Sequence, residues 1–159
     1  MALAGMTQEQ TNNENREHCK RIAEDLELYA SGNAYKCPEC GEVHGWDAIE
    51  ETEHENEEKE TCYRCPNCNS ELYEDEFEQM SLYDYLSDCF DIEYRVSGRA
   101  RDALRSVCIM VACGGPNIYI DTATKAVELY WWGDRASYPL LSDTVDAVNE
   151  WAEEYWGCL

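Results

Sequence analysis

The sequence predicts an α+β chain: a cysteine-knuckle module, then a small antiparallel sheet packed with amino- and carboxy-terminal helices. Three observations carry this. Two Cys-Pro-x-Cys motifs lie in the first half, at 37–40 and 65–68. Four short segments rich in β-branched and aromatic residues follow, separated by turn signals. Stretches with apolar residues at helical spacing stand at both ends.

The opening helix is expected from about Glu14 to Ser31. Cys19, Ile22, Ala23, Leu26, Tyr29 and Ala30 recur at i, i+3, i+4 and i+7, and Gly32 supplies a stop. Met1–Gly5 reads as a vector scar before a start at Met6, and no export leader precedes the helix. After the cysteine region Ser81 caps a short helix, with Asp84 at the capping-box position and Met80 and Tyr85 placed as a staple. Leu82, Tyr85, Leu86, Cys89 and Phe90 are its expected buried side. Strands are expected at Ile92–Val96, Val107–Cys113, Asn117–Asp121 and Ala126–Trp132, with turns at Gly114-Gly115-Pro116 and Asp121–Lys125. Val107–Cys113 is apolar without alternation and reads as a central strand covered on both faces, with Cys113 in the core. Arg99–Arg105 fits a loop or a helical turn. In Trp131-Trp132-Gly133-Asp134-Arg135 alternation puts one tryptophan inward and one outward, with Asp134 and Arg135 pairing at a turn. Ser142 begins the last helix, whose apolar face is Val145, Val148, Trp151, Ala152, Tyr155 and Trp156, and Gly157 ends it. The layout is three-part: residues 1–34 a helix, 35–75 the knuckle module with an acidic insert, 76–159 the α+β unit. No internal repeat is apparent.

The knuckles carry the chemistry. Each Cys-x-x-Cys turn presents two thiolates to one ion, and tetrahedral zinc takes four such ligands. Cys37, Cys40, Cys65 and Cys68 are the expected set. Cys62 is the alternative, because Cys62-Tyr63-Arg64-Cys65 has the same spacing; His44 and His54 read as solvated loop histidines. Metal spacing in five of the ten cysteines fits a reducing cytoplasm better than a disulfide scaffold. Over residues 35–74 the paired CPxC knuckles resemble the zinc-ribbon family. The resemblance implies a structural Zn2+, since four Cys leave no open coordination position. Many zinc ribbons contact nucleic acid or another protein.

Charge decides which partner. The 159 residues carry a formal charge of -22, with 34 acids against 12 bases. That disfavours binding nucleic acid through its phosphates, and adsorption to anionic membranes. The longest apolar run, Val107–Cys113, is too short to span a bilayer. Residues 37–94 contain nineteen acids and two bases, so seventeen of the twenty-two net charges lie there. Asp47, Glu50, Glu51, Glu53, Glu55, Glu57, Glu58 and Glu60 crowd the segment joining the knuckles, and Glu74, Asp75, Glu76 and Glu78 continue it. Arg95, Arg99, Arg101 and Arg105 form the basic cluster, expected to neutralise the acidic stretch.

Duplex DNA carries one charge per ~1.7 Å of axis, so twenty-two charges correspond to roughly 37 Å of duplex. A domain of this length spans roughly 40 Å. In size and charge the chain looks like the acidic DNA-mimicking anti-restriction and anti-CRISPR proteins of phages and plasmids. Its carboxy-terminal half, around Cys113–Asp121 and Trp131–Arg135, is similar to small proteins of bacterial mobile elements. These resemblances imply a non-catalytic inhibitor in the bacterial cytoplasm. Its partner would be a basic nucleic-acid-binding protein, a CRISPR effector or restriction enzyme, engaged through the twelve acids named above. A cysteine nucleophile needs a nearby base, and His18, His44 and His54 all fall in the amino-terminal third, so an enzyme is not expected. The competing reading is a zinc-ribbon adaptor of a transcription or replication assembly, bound through exposed aromatics.

Overall fold

The computed structural model describes residues 8–53, 61–98 and 100–158. It is α+β, with three α-helices and three small antiparallel sheets. Helix α1 (Gln8–Ala30) begins earlier than its apolar stripe, because the polar first turns continue the helix beyond the part that packs. Cys19, Ala23 and Leu26 are buried, as the spacing requires. Gly32, at φ +72°, ends the run by donating its N–H to the Tyr29 carbonyl.

The chain then builds two three-stranded sheets. Strands β1 (Ala34–Lys36) and β2 (Val43–Gly45) form a hairpin around the first knuckle, a 3-10 turn follows at Trp46–Ala48, and β3 is Glu50–Glu53. Strands β4 (Thr61–Arg64) and β5 (Glu71–Leu72) form a second hairpin around the second knuckle, with a 3-10 turn at Glu74–Glu76 and β6 at Glu78–Met80. The sheet orders are β2-β1-β6 and β3-β4-β5.

This is an internal duplication, contrary to the expectation of no repeat. Shifting the first half by 28 positions superposes its elements on the second: Cys37 onto Cys65, Cys40 onto Cys68, Asp47 onto Asp75, Ile49 onto Phe77, Glu50 onto Glu78. The hydrogen bonds repeat as well. Cys37 N–H donates to Glu42 O and Gly41 N–H to Cys37 O; Cys65 N–H donates to Ser70 O and Asn69 N–H to Cys65 O. Gly41 and Asn69 both take positive φ, +75° and +61°, which these two residue types tolerate. The third strands are exchanged: β3 pairs with β4 of the second half, and β6 pairs with β1 of the first. Backbone and side chain tie this module to the turn that follows α1: Trp46 N–H donates to Asn33 Oδ1 and Gln79 Nε2 to Gly32 O. A methyl group on Gly45 would stand 3.1 Å from Leu28 Cδ1, so the glycine permits that close approach.

Helix α2 (Leu82–Leu86) has the expected capping box, with Ser81 N–H and Oγ–H both donating to Asp84 Oδ2. The remainder is a meander in the order β11-β10-β9-β8-β7, from β7 (Asp91–Ser97), β8 (Ala100–Ala112), β9 (Asn117–Asp121), β10 (Ala126–Trp131) and β11 (Asp134–Pro139), closed by α3 (Ser142–Trp156). Helices α1 and α3 pack on one face over Val107, Ile109, Ile118, Ile120, Val127 and Leu129. Gly157 N–H caps the carbonyls of Glu153 and Tyr155.

Several local expectations change. The chain from Ala100 is strand, forming a long hairpin with β7; Arg99 lies outside the described residues. The middle strand is β9, and β8 is buried on the helix side while Cys108 and Met110 opposite are half-buried. Cys113 lies past the strand end and is exposed, so it is no core residue. Phe90 is 62% exposed because β7 begins immediately after it and turns the chain away from α2's buried side. The β10–β11 hairpin turns on two residues, Trp132 and Gly133, both at positive φ, and neither tryptophan is buried. Arg135 ion-pairs with Glu128 across that hairpin at 3.0 Å.

Candidate metal centre

Each ligand pair sits on a reverse turn closed by backbone hydrogen bonds, with proline second and a left-handed residue after the second cysteine. The turns face one another, so the Sγ atoms of Cys37, Cys40, Cys65 and Cys68 all lie within 4.8 Å. The cross-knuckle pairs Cys37–Cys68 and Cys40–Cys65 are both 3.8 Å apart. A tetrahedral ion bonded to sulfur at about 2.3 Å holds its sulfurs about 3.8 Å apart, so the donors fit such an ion. The four cysteines are positioned to bind a metal. Cys62 is not among them: it occupies the β4 position equivalent to Ala34 in β1, and its carbonyl accepts from Thr52 Oγ1. His44 lies in β2 opposite Tyr35, outside the cluster, and His54 lies outside the described residues.

Cys37 and Cys65 are fully buried, while Cys40 and Cys68 are partly exposed. Burial pushes the Cys37 thiol up to about 12. The Ser70 hydroxyl, 3.2 Å from Cys68 Sγ, together with the Ser70 backbone brings Cys68 down to about 6. Binding a metal would therefore release a proton less readily from Cys37 than from Cys68. Ser70 was not singled out in the sequence; its only signal is its place two residues after a knuckle cysteine. Around the centre, Trp46 packs between Tyr35 and Tyr63, with ring centroids at 4.7 and 4.8 Å, and meets Phe77 edge-on.

Eight of the twelve acids named from the sequence lie on the strands and turns of this module. Asp47 is in the first 3-10 turn, Glu50, Glu51 and Glu53 in β3, Glu74, Asp75 and Glu76 in the second 3-10 turn, and Glu78 in β6; all eight are exposed. Glu55, Glu57, Glu58 and Glu60 lie outside the described residues. Glu76 also accepts from the Tyr73 N–H, and Glu78 lies 4.0 Å from Lys36. Arg64, opposite Glu50, pairs with Glu71 at 2.7 Å. Arg95 is held elsewhere: it makes a bidentate pair with Asp121 at 2.9 and 3.0 Å and reaches Glu93 at 3.2 Å. Arg105 approaches Ser97 Oγ at 3.4 Å, and the Arg101 side chain is not among those described. Of the expected basic cluster, Arg95 thus serves mainly the sheet.

Among the described residues no helix is long and apolar enough to cross a membrane. Compared with known proteins, the chain matches no family model, no curated protein and no solved structure at a significant level.

Proposed function

We propose that this chain is an acidic zinc protein. It would occupy the basic nucleic-acid site of a defence nuclease, a CRISPR effector or restriction enzyme, in place of DNA. The observation carrying this reading is the module's rim: eight exposed carboxylates on two 3-10 turns and two short strands, anchored around one four-cysteine centre. Zinc suits four thiolates at tetrahedral spacing, and its role is structural because no coordination position stays open to substrate or water. A dense negative surface on a stiff support gains the steering that DNA gains at a basic groove. The twelve acids from Asp47 to Glu78 named above supply that charge; the site has no catalytic part.

The test is competition. Purified chain is titrated against a panel of DNA-targeting CRISPR effectors and restriction enzymes bound to labelled duplex, across a salt series. Mimicry expects displacement of the duplex by the chain and steep weakening with salt. It also expects loss of displacement when Glu50, Glu51, Glu53 and Glu78 become Lys. Binding that leaves the duplex in place, or that ignores both salt and the four reversals, rejects it.

A second reading has its own observation. Trp132 is 89% exposed at a hairpin tip, beside exposed Trp131 and Tyr130. An adaptor of a transcription or replication assembly would bind through such aromatics, with little dependence on salt.

A further inference from the structure

We infer that the four-cysteine centre gates both acidic strands at once: metal bound at one site sets whether β3 and β6 are displayed at all. The duplication leads to this. If each half kept its own third strand, each knuckle would steady its own acids. The third strands are instead exchanged, so Glu50, Glu51 and Glu53 hang on β4 and Glu78 hangs on β1. Each half therefore holds the acidic strand of the other, and a metal held by all four sulfurs would bond directly to both knuckles. The 3.8 Å contacts obey the same symmetry, since exchanging the halves turns Cys37–Cys68 into Cys65–Cys40.

Besides the two exchanged ladders, β3 with β4 and β1 with β6, only a small apolar cluster holds the described parts of the halves together. Apart from its cysteines the module's core cluster consists of Ile49, Leu72 and Phe77, with Tyr35, Trp46 and Tyr63 partly covered. Ile49 and Phe77 are equivalent residues, one from each half. Against this small core stand the module's carboxylates, which repel one another. A metal-dependent fold is the expected outcome for so small a core. The sheet β7–β11 has its own large core and does not share this dependence.

The test uses the full chain. Hydrogen exchange is followed at residues 34–36, 50–53, 61–64, 78–80 and, as an internal control, 107–111 and 118–120. Measurements cover the zinc-loaded protein, the same protein after chelation, and the single variants Cys37→Ser and Cys65→Ser. Expected is about 100-fold or faster exchange in all four module segments together, for chelation and for either variant, with the control segments still protected. Zinc added back to the chelated wild type restores protection in all four. If Cys65→Ser frees only 50–53 and 61–64 while 34–36 and 78–80 stay protected, the halves are independent and the inference is wrong. Retained protection after chelation overturns it equally. Neither readout involves a partner, so the inference fails or stands separately from DNA mimicry.

Discussion

The knuckle module and the five-stranded unit solve the same problem with different means. The sheet unit buries a continuous core from all three helices and three strands, from Cys19 and Leu26 through Ile109, Ile120 and Leu129 to Val148 and Trp151. The module has strands of two to four residues, buries few apolar side chains, and is dense in charge, with fifteen acids against three bases over residues 34–80. Hydrophobic burial scales with area, so the first is held by its own side chains. The second, with so small a core, would draw on metal–ligand bonds at its four cysteines to hold its two halves together. The difference teaches where acid can be placed: a surface that repels itself sits on a module positioned to bind a metal, next to a unit with a large core of its own.

The largest expected effect tests whether the two regions are separable. Leu129, in β10 between β9 and β11, is fully buried. Leu129→Ala should lower the stability of the sheet unit by about 2–5 kcal/mol, the usual cost of such a cavity. Metal content at a temperature where the sheet is still folded should be unchanged. Calorimetry paired with metal analysis would check this. Metal lost in step with the core would show that the two regions form one cooperative unit.

The next effect is pH-dependent and belongs to the sheet alone. Burial raises the Asp121 carboxyl, but the bidentate Arg95 pair and the N–H groups of Ala123 and Thr124 outweigh it, and its pKa is lowered overall. A depressed carboxylate stabilises the fold above its unfolded pKa, about 3.9, and that contribution fades as pH falls through the folded value. Arg95→Gln should cost about 1–3 kcal/mol at neutral pH and flatten the acid limb of the stability curve. Urea titrations of the two proteins between about pH 2 and pH 7 would show the curves converging in acid. Parallel curves would mean the pair does not set this part of the pH dependence.

What the sequence disclosed follows the same division. The cysteines were legible because thiolate chemistry fixes both residue type and spacing. The helices and β9 were legible because a large core imposes a period. The duplication was hidden since its strands are too short to show one. Equivalent positions also differ in identity while sharing a backbone role: Gly41 with Asn69, Ile49 with Phe77, Ala34 with Cys62. Strand β11 was missed because Asp134–Pro139 alternates polar and small residues at a sheet edge and ends in proline, which reads as a turn. The exposure of Cys113 and Phe90 was missed because both are apolar residues next to elements, and only the chain's exit direction puts them outside.

The smallest effect concerns backbone conformation. In the module, positive φ falls on Gly41 and Asn69, residues suited to it. In the sheet unit it falls on Gly114 and Lys125 and also on Trp132, at +45°, in the first position of a two-residue hairpin turn that favours Asn followed by Gly. Gly133 already supplies the second position, at +90°. A bulky side chain there is strained and, at this site, gains almost no burial. Trp132→Asn should therefore raise the stability of the sheet unit by about 1 kcal/mol, seen as a higher thermal midpoint with unchanged metal content. A variant no more stable than the wild type would assign the indole a folding role, through its edge-on contact with Trp131 at 6.0 Å. A clear gain would instead mark Trp132 as a residue kept at a cost to the fold, which is what a contact surface for another molecule requires.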